Sequence, residues 1–178
     1  MSAVTLSPTP VLTTDRLVLR APVAADWPLF LDFTRDERSR FVRAAEMDDE
    51  KAWRGFGHVI GHWVLRGYGM FTITAKGDDR ALGMAGPWFP AAWPEPEIGW
   101  SIWNAGAEGK GYAFEAASAV RDWARDSLGW TRFVSYIDRA NTRSEALARR
   151  LGCTPDAAAA TPGTEDVRAW RHPEGGAA

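Results

Sequence analysis

The residues with the most chemical promise lie between Glu97 and Ala113. A run of strand formers, Glu97-Ile98-Gly99-Trp100-Ser101-Ile102-Trp103, gives way to Asn104-Ala105-Gly106-Ala107-Glu108-Gly109-Lys110-Gly111-Tyr112-Ala113, and an alanine-rich helical pattern follows. Glycines at 106, 109 and 111 let the backbone curl and come close to a ligand. The helix start behind them offers unpaired N–H groups and a partial positive charge. Such a turn suits a phosphate or pyrophosphate. Two familiar phosphate loops do not fit. A Walker loop needs Ser or Thr after Gly-Lys, and Lys110 is followed by Gly111. A dinucleotide fingerprint beginning at Gly109 and Gly111 would need glycine where Phe114 stands.

One other pair invites a ligand reading. His58 and His62 are four apart and could share a helix face, but zinc chemistry of the metalloprotease kind needs a Glu after the first His, and Val59 is there. No metal is expected, and an amphipathic surface accounts for the pair.

The elements that must position the glycine turn follow from periodicity. Residues 12–20 alternate as a strand, and 24–35 and 48–66 read as helices. The second of these places Trp53, Phe56, Ile60 and Trp63 on one face. Strands over 68–76 and 81–88 flank the turn Gly77-Asp78-Asp79-Arg80, and residues 89–96 carry three prolines and form an irregular connection. After the strand 97–103 comes the clearest helix, 112–128, ended by Gly129. A strand over 131–137 follows, then a helix opened by a Thr142-x-x-Glu145 capping box and closed at Leu151-Gly152, and a last strand over 167–171. Residues 35–46 and 154–164 read as loops, and 173–178 as a frayed tail. The order βααβββαβαβ implies an α/β fold of α+β type, a mixed sheet with helices on both faces.

Composition sets the frame. The chain has 178 residues, enough for one domain over 1–178, with 46% hydrophobic and 25% charged residues. A net charge of −2 gives no reason to expect nucleic acid or an anionic membrane as partner. The start lacks the basic and apolar runs of a signal peptide, and no apolar run is long enough to span a membrane. The single Cys153 excludes an internal disulfide and suits the cytoplasm. Ten tryptophans favour large, flat contact surfaces.

Taken together, several ordered motifs resemble the GNAT superfamily of acyl-CoA-dependent N-acetyltransferases, in particular its Rim-type branch of ribosomal-protein N-terminal acetyltransferases. They are Glu97-Ile98-Gly99-Trp100, Gly109-Lys110-Gly111-Tyr112-Ala113 with Glu115-Ala116, Asn141-x-x-Ser144 and Leu151-Gly152-Cys153. The opening Leu12-Thr13-Thr14-Asp15-Arg16-Leu17-Val18-Leu19-Arg20 is similar to that branch's first strand. The resemblance implies a mostly antiparallel central sheet whose strands 97–103 and 131–137 splay apart and admit the cofactor. It also implies acetyl-CoA as cofactor and a primary amine, on a protein N-terminus or a small molecule, as acceptor. Family members often dimerise.

By this resemblance the backbone N–H groups from Ala107 to Ala113, with Gly109, Lys110, Gly111 and Tyr112 between them, would grip the CoA pyrophosphate. The competing reading is a tight turn and nothing more. Asn141 would touch the pantetheine arm, or simply cap a helix. Ser144 would donate a hydrogen bond to the departing thiolate, or be a polar residue of a first turn. Glu97 would take the amine proton, orient the amine, or be solvated at a strand start. Trp88, Trp93 and Trp100 sit beside the expected cleft and could line an apolar acceptor pocket. Glu115 is read as structural, at the positive end of its helix, Cys153 as a small core residue and Tyr136 as packing. Two departures stand out: Gly106 occupies the place of the family's usual Arg or Gln, and Ala148 that of its common tyrosine acid. They keep open a silent acyl-CoA-binding protein of the same fold. An antibiotic or polyamine acceptor is a second alternative.

Overall fold

The computed structural model describes residues 6–43, 45–163 and 166–175. The expected loops at 35–46 and 154–164 therefore fall partly outside the described residues, as do the start of the chain and the tail beyond 175. The strands are β1 (Leu12–Thr13), β2 (Leu17–Arg20), β3 (Phe71–Ala75), β4 (Asp78–Trp88), β5 (Glu97–Ile102), β6 (Val134–Asp138), β7 (Thr154–Pro155) and β8 (Val167–Arg171). The helices are α1 (Trp27–Arg35), α2 (Asp49–Arg66), α3 (Tyr112–Leu128) and α4 (Thr142–Arg150). The strands form one sheet in the order β1-β2-β3-β4-β5-β6-β8-β7. Its pairings are antiparallel except β5 with β6.

Helices cover both faces. Alternation in β2 buries Leu17 and Leu19 on the side of Phe71, Ile73, Ala85 and Ile98, where α3 packs through Ala116, Val120 and Ala124. Small residues on that face let the helix lie close to the sheet. On the other face α1 and α2 bring Phe33 and Phe56 against Met84 and Trp103. Asp48 caps α2 by accepting from the Lys51 amide at 2.7 Å, and Gly67 ends it in the left-handed conformation.

Several expectations need correcting. The strand expected over 12–20 is two short strands, because Thr14 turns back and donates its amide to the Leu17 carbonyl. The turn expected at 77–80 is tighter: β4 already begins at Asp78 and shifts register against β3. Residues 154–155 add an edge strand, β7, that pairs with β8. Trp53 does not join the buried face of α2, which is made by Ala52, Phe56, His62 and Trp63. It is 60% exposed and touches Trp27 edge-on. The α4 cap is Asn141 rather than Thr142, with Oδ1 accepting from the Ser144 amide at 3.1 Å.

A buried polar node joins α1 to the sheet. The Asp26 carboxylate, 2% exposed, receives both Arg20 Nη atoms at 2.9 Å, the Thr72 hydroxyl at 2.9 Å and the Val23 amide at 3.0 Å. Removing one member of a buried pair strands the other, at a cost of about 3–5 kcal/mol. Asp26→Ala is therefore expected to lower the unfolding temperature by roughly 10 °C or more, measured by calorimetry. A loss below about 1 kcal/mol would mean that the node contributes little.

Candidate active site

The sheet opens where β5 meets β6. The only ladder pair between these two strands is Glu97 with Val134, held by the Val134 amide donating to the Pro96 carbonyl at 3.0 Å. One residue further on, a side chain replaces the ladder. The Ser135 hydroxyl donates to the Ile98 carbonyl at 2.6 Å and therefore accepts from His172 Nε2 at 3.0 Å. Burial pushes the His172 imidazole down to about 3, so it is neutral and carries its proton on Nε2. Past this point Gly99 to Ile102 pair with β4 on one edge and face a gap on the other. Alternate N–H groups of this run then point into the gap.

The gap is part of a cleft of about 700 Å³ that runs from α4 across β5 and β6 to α2. Glu97, Trp88, Trp93, Trp100, Asn141 and Ser144 all line it. Glu97 Oε2 accepts from Trp93 Nε1 at 2.6 Å, and Oε1 from the Tyr136 amide at 3.3 Å. Burial pushes the Glu97 carboxyl up to about 7, outweighing the two hydrogen bonds that favour the charged form. The residue as a whole is only half-buried because it borders the open cleft. Glu97 is therefore a carboxylate poised near neutrality at the mouth of the strand opening.

On the other side, Trp100 Nε1 donates to Ser144 Oγ at 3.3 Å, which leaves the serine proton available to a further acceptor. The Asn141 side-chain carbonyl is engaged as the α4 cap, so its NH₂ group is what it can offer a ligand. Trp88 stacks on His62 at 4.5 Å and meets His58 edge-on at 4.8 Å. His62 spends both ring nitrogens inside the chain, Nδ1–H on the Tyr68 carbonyl at 2.8 Å and Nε2 as acceptor of the Phe89 amide at 3.0 Å. Among the described residues no three His, Cys, Asp or Glu side chains gather as a metal set.

The glycine turn does not line the cleft but lies at the start of α3, beyond Trp103. Residues 105–107 form a 3₁₀ turn, in which the Asn104 side chain accepts from the Gly106 amide at 2.8 Å. The Ala107 amide is used on the Asn104 carbonyl and the Glu108 amide on the Ala105 carbonyl. This narrows the expected grip, since Ala107 has no amide to give. Gly109 and Gly111 sit at φ of +73° and +80°. Among the described residues, the amides from Gly109 to Phe114 have no protein acceptor. They are therefore open to an anion.

Two contacts of this turn were not legible locally. The Glu115 carboxylate accepts from the Thr14 hydroxyl, the Arg16 amide at 2.9 Å and the Arg16 guanidinium at 2.6 Å. Arg16 also donates to the Lys110 carbonyl at 2.9 Å and lies over the Tyr112 ring at 4.8 Å. Glu115 is structural, as expected, but through this clamp as well as the helix end. Glu108 joins Arg38 at 3.1 Å and Arg143 at 2.7 Å, linking the turn to the segment after α1 and to α4. Tyr136, read as packing, also borders the cleft; its hydroxyl is buried without a described partner, and burial pushes it up to about 12.

The Acetyltransferase (GNAT) domain family matches residues 16–154. The chain belongs to the GNAT acetyltransferase family. An acetyltransferase from Agrobacterium tumefaciens has the same fold as this GNAT enzyme at a TM-score of 0.87 and 34% identity, with 98% of this chain and 99% of that one covered. A GNAT-family protein from Bordetella pertussis aligns at a TM-score of 0.72 and 26% identity, over 91% of this chain and 98% of that one. RimL, a ribosomal L7/L12 α-N-protein acetyltransferase in complex with coenzyme A, shares the fold at a TM-score of 0.66 and 22% identity, over 92% and 97% of the two chains. No curated protein matches the GNAT chain described here. The described part of this GNAT enzyme has no helix long and apolar enough to cross a membrane.

Proposed function

We propose that this acetyltransferase, read as one domain over 1–178, moves acetyl from acetyl-CoA to a primary amine by direct attack within a ternary complex. The observation that carries the reading is the parting of β5 and β6 after a single ladder pair, with Glu97 at that pair and Ser144 beside Trp100 further along β5. The donor set fits coenzyme A. Open amides from Gly109 to Ala113, on positive-φ glycines at a helix start, suit its pyrophosphate, and Asn141 Nδ2 and Ser144 Oγ suit its arm. When bound, acetyl-CoA supplies the activated acetyl thioester.

The chain's own groups do the rest. Glu97 takes the proton of the incoming amine: its carboxyl, near 7, is matched to a base working at neutral pH. N–H groups of β5 facing the gap receive the negative charge that develops on the acyl oxygen. Ser144 donates toward the leaving sulfur. A base this weak is better suited to α-amines, with pKa about 7.7–8, than to lysine amines near 10.4, which cost roughly 3–4 kcal/mol more to deprotonate. This supports a protein or peptide N-terminus as acceptor, as in the Rim-type branch, over a polyamine. The buried lone thiol of Cys153 agrees with a cytoplasmic setting.

A thiolate leaving group, with a pKa near 8.5, needs little help to depart. Ser144→Ala is accordingly expected to lower kcat by about 10-fold while leaving the KM for acetyl-CoA within about twofold, read by thiol release. A selective rise in that KM would assign Ser144 to cofactor binding alone. The reading as a whole is tested by thiol release from acetyl-CoA with α-amine peptides. Binding of coenzyme A without acetylation of any peptide would refute it.

A further inference from the structure

We infer that the acceptor is an amine that carries an anionic group about 10 Å from the reacting nitrogen, held by Lys51 and its basic neighbours at the far end of the cleft. This rests on the reading of Glu97 as the amine's docking point.

The charges lining the cleft are unevenly placed. The two lining carboxylates, Glu97 and Asp138, lie at the β5–β6 opening, and Asp138 is engaged by the Ala140 amide at 2.7 Å. The end built by the start of α2 and the segment before it is lined by Arg40, Arg43 and Lys51, with no lining carboxylate among the described residues. Apolar side chains line the cleft beside these charges, Phe41, Met47 and Val59 among them.

The spacing follows from the helix. His58 touches Trp88, and Trp88 is the ladder partner of Glu97, so His58 marks the Glu97 end. Lys51 is seven residues earlier on the same helix, about 10 Å along its axis. That is roughly the span of three extended residues.

The basic end is built rather than incidental. Arg43 Nε donates at 2.8 Å to the hydroxyl of Ser39, which is fully buried and itself donates to the Asp36 carbonyl at 2.7 Å. Arg43 also donates to the Ala45 carbonyl at 3.0 Å. The acidic partners here, Glu37 at 3.1 Å from Arg40 and 3.8 Å from Arg43, and Asp48 at 3.7 Å from Lys51, are 71% and 58% exposed. Ion pairs so exposed are screened and weak, so an anion in the more enclosed cleft competes with them. A polyamine would meet like charge there.

The test compares the tripeptide amides Ala-Ala-Glu, Ala-Ala-Gln and Ala-Ala-Lys as acceptors, by thiol release and mass spectrometry. An ω-amino fatty acid of matching length, against the corresponding alkylamine and diamine, separates a small-molecule acceptor from a peptide. We expect kcat/KM for the anionic acceptor of one series to exceed its neutral isostere about 10-fold, the cationic one to fall below it, and the preference to shrink with added salt. In Lys51→Glu, which suits the start of α2 electrostatically, and in the milder Lys51→Gln, the ratio of anionic to neutral should fall toward one. Equal use of anionic and cationic acceptors, or an unchanged ratio in both variants, would overturn the inference and leave the acetyltransfer reading standing. Failure of every amine, with coenzyme A still bound, would instead strike that reading.

Discussion

Replacing Gly111 by tryptophan is expected to abolish the thermal stabilisation conferred by coenzyme A. Two effects combine. At φ of +80° a side chain is strained, at about 1–2 kcal/mol, and the first added carbon would lie 3.4 Å from Arg16 Nη2, the clamp that holds the turn. The indole would also stand where the open amides from Gly109 to Phe114 face an anion. For the unaltered protein at a coenzyme concentration of about 100 Kd, ligand linkage is worth about 2.7 kcal/mol, or roughly 5–10 °C for a chain of this size. The strain lowers the unfolding temperature of the free variant by a few degrees, so the decisive quantity is the difference with and without coenzyme A. A full ligand-induced shift in the variant would place the coenzyme elsewhere.

Glu97→Gln should lower kcat by about 10²–10³-fold, in the lower part of the range of general-base contributions. For the unaltered enzyme kcat should rise with pH through about 7 as Glu97 ionises, and the variant should lose that inflexion. The same group makes a separate prediction about stability. Its folded-state pKa is raised, so proton uptake favours the native state. Its contribution is fully present below the ordinary value of about 4.5 and is lost as pH climbs to about 7. At pH 8 the buried charge costs up to about 3 kcal/mol, and the glutamine variant should be the more stable by up to that amount. The gain should vanish near pH 4. Denaturant melts at the two pH values measure it, and an equal difference at both would mean that Glu97 does not titrate abnormally.

What could be read from the chain and what could not divides along local and nonlocal contacts. Helices α2 and α3 were legible because period, cap and terminating glycine all lie within one segment: Asp48 and Gly67 frame the first, Gly111 and Gly129 the second. Trp53 was misread because periodicity says which residues share a face but not where the neighbouring helix stops covering it. The splitting of the first strand at Thr14 depends on a turn whose side chain also bonds Glu115 about a hundred residues away, and no window of sequence holds both. At the site, the motifs gave Glu97, Trp100, Asn141 and Ser144, and the fold brings these to one cleft. The basic end of that cleft was not legible. Arg40, Arg43 and Lys51 sit in a stretch that reads as ordinary surface charge, and only tertiary packing brings it to the wall of the cleft.

The buckle between Arg16 and Glu115 ties the conformation of the glycine bend to the edge of the sheet where the chain starts. An excised piece beginning at Glu97 would keep every motif glycine and yet lack the guanidinium that seats Tyr112 and the Lys110 carbonyl. The shape of the bend is thus a collective property of two distant chain regions.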